Sequence, residues 1–266
     1  MKKILNILKK YKKNIETFIS YFLVILSILL FIFYIASSSS SDFKLYLILD
    51  DYGNLIFQGF LNTIIISFLV LIGSSILGFL FYLMSTSKIR FFSSYLKAFT
   101  NVFTEIIYGT PLLVLIVVSA FVIGPAFGIY QRDLFGVLAL IIYMSPYVKN
   151  VFKAAFSTIS KEQYMAMDLF GFTSYQKYRY LIIPQVIRAL MPPMMNNFSL
   201  IIKGSALLYV LSFNELYYTI IIAQSKTFAF VEGYLLMWAL YLIITIPLSQ
   251  LTKILEKRWS NLWKLI

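Results

Sequence analysis

SKEQYMAMDLFGFTSYQKYRYLIIPQ, residues 160–185, is the longest polar-flecked interval in a chain otherwise made of long apolar runs. Ser160 followed by Gln163 fits a capping box, and so does Thr173 followed by Gln176. Gly171 sits where a first helix needs a residue tolerant of positive φ to end. Pro184, without an N–H, is expected to stop the second helix. The two predicted helices are each about ten residues, far short of the ~20 needed to cross a bilayer. Yet they carry Tyr164, Met165, Met167, Leu169, Phe170, Tyr175, Tyr178 and Tyr180. A hairpin that can neither span nor cover its own aromatics is expected to dock on a partner.

Outward from this stretch, the chain reads as a polytopic membrane protein. Of its 266 residues 60% are hydrophobic and only 13% charged, and several apolar runs exceed the length of a core helix. There is no cysteine and no histidine, which removes thiol chemistry, disulfides, zinc sites and histidine acid–base catalysis together. No phosphate-binding loop of the G-x-x-x-x-G-K-[ST] type occurs, so energy from ATP would have to come from another chain.

Six spans are expected. The first, 18–36, follows a tail (1–14) holding Lys2, Lys3, Lys9, Lys10, Lys12 and Lys13, either a solvated orientation signal or a helix lying on anionic lipid. A serine run and the acidic interval to Gln58 read as an external loop. The second span, 59–84, has a small-residue face at Gly73, Ser74, Ser75 and Gly78, suited to close helix approach. The third, from about 95 or 99 to 123, contains Gly109-Thr110-Pro111 and is expected to be kinked or broken there. The fourth, 134–151, is expected to break near Pro146. Pro192-Pro193 should open the fifth, which runs to about 213 and holds Lys203. Residues 214–230 read as a mixed loop dipping into the interface, 231–251 as the sixth span, and 252–266 as an interfacial tail with Trp259 and Trp263 as anchors.

Alternating these loops across a membrane puts 19 of the 23 lysines and arginines on one side and three on the other, with Lys203 inside a span. Such a split fits a cytoplasmic N-terminus, C-terminus and hairpin. It also removes nucleic acid as the reason for the net charge of +12.

With the hairpin on that side, the interval resembles the cytoplasmic coupling loop of ABC-transporter inner-membrane permeases. That loop has an acidic-alanine-alanine triplet, a glycine four residues on, and a downstream Ile-Leu-Pro. Met165-Ala166-Met167, Gly171 and Ile182-Ile183-Pro184-Gln185 stand at those places. More narrowly, the chain is similar to polar amino-acid uptake permeases of the histidine, glutamine and arginine type. Gly59 with Asn62-Thr63, Glu105 with Gly109-Thr110-Pro111, Phe170-Gly171-Phe172, Tyr178-Arg179-Tyr180, and Lys203 followed by Gly204-Ser205-Ala206-Leu207 carry that likeness, over about 59–260. Departures are equally specific. Met165 and Met167 replace the glutamate and second alanine, Tyr108 the arginine before Gly-Thr-Pro, Asn150 a glutamate late in the fourth span, Lys153-Ala154 an Arg-Gly, and Gly204 an aspartate.

The resemblance implies an all-α fold: a five-helix permease core plus one extra N-terminal helix. It divides the chain into 1–58, a transmembrane domain at 59–251 with its coupling loop at 160–185, and a cytoplasmic tail at 252–266. It implies no catalytic residue, no metal and no cofactor in this chain. ATP and Mg would be bound by a separate ABC ATPase seated on Gln163, Tyr164, Met165, Ala166, Met167, Leu169, Gly171 and Pro184. An extracytoplasmic binding protein, a second permease subunit (identical or related) and membrane lipid complete the expected partners, in the cell membrane.

Candidates for the pathway or gate are Glu105, Gly109, Thr110, Pro111, Lys203 and Ser205. A charge in hydrocarbon costs several kcal/mol, so Glu105 and Lys203 either line a water-filled route, pair with each other, or snorkel to the rim. Glu162 or Asp168 stands in for the missing loop glutamate, or is merely solvated. Two other classes compete: an ion-coupled carrier or channel, whose inverted repeats and paired broken helices are not evident, and a non-transporting assembly subunit.

Overall fold

The computed structural model describes residues 44–87 and 93–263, with side chains to 257, and helical residues at 19–20, 22–28, 30–32 and 34. The basic tail at 1–14 and the serine run at 37–41 lie outside the described residues. Among the described residues there are helices and turns and no strand. In chain order the helices are α1 Leu45–Thr86, α2 Ser93–Gly109, α3 Leu112–Ala126, α4 Arg132–Ser157, α5 Lys161–Leu169, α6 Ser174–Leu211, α7 Leu216–Thr227 and α8 Phe230–Trp263. Helices α1, α4, α6 and α8 are each long and apolar enough to cross a membrane, and α2 with α3 makes a fifth span broken by a 106° bend. The sixth expected span, 18–36, falls on residues described only in part.

The outer face of α1 shows why this bundle belongs in lipid. Ile65, Leu69, Ile72, Ile76, Phe79 and Leu83 recur every three or four residues and are all exposed. A stripe of that length facing water would be an aggregation site. The opposite face packs into the core, where Ile66 and Val70 meet Ile116, Ala120, Ala139, Leu140, Met144, Ile201 and Leu208. The small-residue face predicted for this helix is present. A Cβ at Gly78 would lie 2.8 Å from the Ser145 carbonyl of α4, so only glycine lets the two backbones come this close.

Several boundaries differ from the sequence expectation. Residues 45–58 are helical rather than a loop, because Ile48, Tyr52, Ile56 and Gly59 form one face that buries against α7 and α8 while Asp50 and Asp51 point outward. At ~1.5 Å per residue α1 is about 63 Å long, twice the hydrocarbon thickness. Pro146 does not break α4. It deprives the Ile142 carbonyl of its usual N–H donor, and the Ser145 hydroxyl donates to that carbonyl instead at 2.8 Å.

Pro184 does not end the second hairpin helix either. A wide π-type turn at Lys177–Ile182 precedes it, with the Ile183 N–H reaching back to the Tyr178 carbonyl. The extra residue in that turn makes room for the ring. Pro192 and Pro193 lie within the same helix, so α6 is one 38-residue rod rather than a short hairpin helix followed by a new span. Residues 216–227, expected as loop, form α7, and α8 runs on through the expected tail to Trp263.

Candidate functional site

The hairpin at one end of the bundle is built as its caps predict. The Ser160 hydroxyl accepts from the Gln163 N–H at 3.2 Å, and the Gln163 side chain accepts from the Ser160 N–H at 3.3 Å. Thr173 and Gln176 repeat the arrangement. Such caps contribute about 1 kcal/mol each. Gly171 has φ +69°, with the Phe172 N–H bonded to the Met167 carbonyl and the Gly171 N–H to Asp168. That is a Schellman closure, and a β-carbon at Gly171 would strain it. Lys177 pairs with Asp168 across the turn, so Asp168 closes the hairpin rather than reaching for a partner. Glu162 stays exposed; its own backbone N–H, then the Ser160 hydroxyl, hold its carboxyl below the usual range.

The residues expected to seat a partner separate into two faces. Met167 is 6% exposed and packs with Ala155, Ile159, Ile182 and Val186, with Tyr164 beside it. Its expected partner contact is therefore corrected: it anchors α5 to α4 and α6. Tyr164 and Pro184 are half-buried, and Gln163 is occupied in its cap. On the other face Met165, Ala166 and Leu169 are exposed, and Phe170 adjoins them. Leu169 is 88% exposed and Phe170 81%.

At the break between α2 and α3, Pro111 leaves the Ile107 carbonyl without its usual donor. The Thr110 N–H bonds to it at 3.2 Å, while the Thr110 hydroxyl takes the Ile106 carbonyl at 2.7 Å. The turn is thus satisfied from within. A Cβ at Gly109 would meet nothing within 4 Å, so proline rather than glycine makes the break. Glu105 and Lys203 are exposed, and no ion pair joins them among the described residues. Ser205 is buried and its hydroxyl bonds to the Ile202 carbonyl. Lys203 heads a groove of about 380 Å³ between α6 and α8, whose walls include Asn196, Ser199, Thr245, Ser249, Thr252, Lys253 and Glu256. These are polar residues at helical spacing on two facing helices.

Two clusters escaped sequence reasoning. Glu215 is fully buried at the start of α7, accepting from the Tyr217 and Tyr218 N–H groups and from the Tyr241 hydroxyl at 2.9, 2.7 and 3.0 Å. The Thr63 hydroxyl of α1 accepts from the next N–H, Leu216, at 3.0 Å. An acidic residue ahead of Leu216, Thr219, Ile220 and Ala223, with Lys226 in the last turn, is a helix signature that could have been read. The second cluster joins α2 to α4. The buried Lys149 donates to the Thr104 hydroxyl, and Asn150 to the Tyr108 hydroxyl, both at 2.7 Å. Tyr147 packs edge-on against Tyr108.

Residues 77–261 match the family described as the binding-protein-dependent transport system inner membrane component. The chain belongs to this family. That membership sets aside the ion-coupled carrier or channel and makes the chain a transport subunit rather than an enzyme. A Bacillus subtilis (strain 168) relative, the "Probable glutamine ABC transporter permease protein GlnM", is 33% identical over 79% of this chain and 96% of its own. The glutamine transport system permease protein GlnP of Escherichia coli K12 is 28% identical over 78% and 94%. The crystal structure of an amino acid ABC transporter with histidines superimposes with a TM-score of 0.71 at 30% identity, covering 82% of this chain and 99% of that one. An inward-facing MetNI methionine ABC transporter shares the fold, with a TM-score of 0.57 at 16% identity.

Proposed function

We propose that this permease forms the membrane pathway of an ATP-driven amino-acid importer, with a neutral polar amino acid such as glutamine as cargo. A separate ATPase, which binds ATP and Mg, seats on the face formed by Met165, Ala166, Leu169 and Phe170. An extracytoplasmic binding protein delivers the solute, and a second permease subunit closes the pathway. Hairpin and termini lie in the cytoplasm, an orientation that fits the charge split. Cargo passes the α2–α3 break and leaves along the Lys203 groove. Nucleotide-driven closure of the ATPases favours one of two bundle states, because the partner binds those states with different affinity.

The observation that carries this reading is the rigidly capped hairpin presenting Leu169 and Phe170 almost wholly to solvent. An apolar pair so exposed at the end of a bundle fits a partner groove, and flexible Met165 beside it suits the same use. The test is co-purification with the ATPase of a binding-protein-dependent importer, together with uptake of labelled glutamine. Leu169→Asp combined with Phe170→Asp should abolish both while leaving membrane insertion intact. Unchanged ATPase capture and unchanged uptake would sink the docking claim. Uptake identical with and without the gene would mark a non-transporting assembly subunit.

A further inference from the structure

Behind α5, on the side away from the proposed ATPase face, lies an open cavity of about 570 Å³ between α1, α4, α5 and α6. Its floor is apolar, with Phe79, Leu83 and Phe156 among the lining residues. Its polar lining brings together Lys153 and the phenols of Tyr82, Tyr164 and Tyr178, one from each of the four helices. No carboxylate lines it, and no carboxylate pairs with Lys153 among the described residues. Tyr82 stacks on Phe156 with ring centroids 5.0 Å apart, which fixes one phenol in place. Burial, and then the neighbouring Tyr178 phenol, hold Tyr164 above the usual phenol range.

We propose that this cavity holds the headgroup of an anionic phospholipid from the leaflet on the hairpin side. Lys153 and the phenols donate to the phosphate oxygens, an arrangement in which charge-assisted bonds are the strong ones. A lipid rather than a free anion is indicated by what leads into the site. The exposed stripe of α1, Ile65 through Ile76, continues into Phe79 and Leu83 of the cavity itself. Acyl chains laid along that stripe deliver a headgroup to Lys153. The side of the membrane agrees as well. If the hairpin is cytoplasmic, which rests on the function proposed above, it faces the leaflet where anionic lipid attracts lysine and arginine. Because Tyr164 belongs to α5 and the other three donors to spans, a bound headgroup ties the hairpin to the bundle. Lipid occupancy thereby sets how firmly the hairpin follows the ATPase.

The test uses the whole importer in nanodiscs of phosphatidylcholine alone, phosphatidylcholine with phosphatidylglycerol, and phosphatidylcholine with added inorganic phosphate. Retained lipid is read by native mass spectrometry, and cargo-stimulated ATP hydrolysis in parallel. Wild type should retain phosphatidylglycerol and show higher stimulation only in its presence. Lys153→Ala should weaken retention roughly tenfold, the loss of one charge-assisted contact. Tyr178→Phe, which keeps the ring, should weaken it less. Equal retention by wild type and Lys153→Ala, or equal stimulation by inorganic phosphate, would overturn the lipid site. Lipid retained as expected by a complex that moves no amino acid would instead overturn the transport reading and leave the site standing.

Discussion

The Asn150 side chain donates a 2.7 Å hydrogen bond to the Tyr108 hydroxyl, so two positions where this chain departs from the permease pattern it resembles are partners in space. Arginine and glutamate of that pattern are replaced here by a neutral pair joining α2 to α4. The two substitutions therefore belong together. Tyr108→Arg alone should lower the melting temperature of the purified protein, because it breaks the bond to Asn150 and adds an unpaired charge to a membrane span. Adding Asn150→Glu should restore much of the loss. In the neutral series, Tyr108→Phe and Asn150→Ala should be non-additive by about 1 kcal/mol, the worth of one hydrogen bond. Strict additivity would mean that the bond does not form.

Met167 and Leu169, two residues apart on α5, should fail in different ways. Met167→Ala empties a contact with Ile182 and Val186 and should destabilise the hairpin by about 2 kcal/mol, as core truncations do. Hydrogen exchange over 160–190 reads this directly. Leu169→Asp should leave exchange unchanged and abolish ATPase capture. The reverse pattern would reverse the assignment of the two faces.

Gly171→Ala should cost the hairpin about 1 kcal/mol, because φ +69° is a left-handed conformation that an alanine adopts only under strain. Gly171→Asn should be milder, since asparagine tolerates that region. A matching loss of exchange protection confined to α5 and the following turn is the expected signature.

The α2–α3 break offers a contrast between neighbours. Gly109→Ala should leave uptake nearly unchanged, as nothing crowds its Cβ. Pro111→Leu restores an N–H donor to the Ile107 carbonyl and should let the helix run on, reducing uptake while the protein still inserts. Equal effects of the two changes would show that the proline does not set the bend.

Acid should loosen the start of α5. Glu162 has its carboxyl held below its ordinary value, so its contribution to the hairpin is present above the ordinary glutamate range. The contribution is lost as pH falls through the lowered value. Exchange protection near Ser160 should therefore drop on acidification in the wild type and change less in Glu162→Gln.

Five of the six expected spans, both capping boxes and the glycine closure were legible because each depends on a local pattern of residue types. The prolines were legible only in part: the break expected at Pro111 is present, while those expected at Pro146, Pro184 and Pro192-Pro193 are not. Pro111 and Pro146 each follow a hydroxyl residue and free the carbonyl four positions back, yet one breaks its span and the other sits in a continuous helix. The difference lies in the neighbours. Pro146 is buried where Gly78 lets α1 press against the adjoining Ser145 carbonyl, whereas Pro111 is exposed. Likewise Met167 and Met165 look alike in the sequence, and only the packing of α4 and α6 tells anchor from contact face. Glu215 was missed because an acidic residue between two apolar runs reads as loop until its three donors, one of them 26 residues away, are in view.

Helix α6 runs without a loop from the hairpin at Ser174 past Lys203 in the groove. The two points are about 44 Å apart along one continuous rod. Mechanically this is a lever: displacement of its short end is carried along one helix to its far end. The wide turn at Lys177–Ile182 lies between them, next to the load. In the importer proposed above, the stiffness of that single turn would set how much of an ATPase stroke reaches the solute.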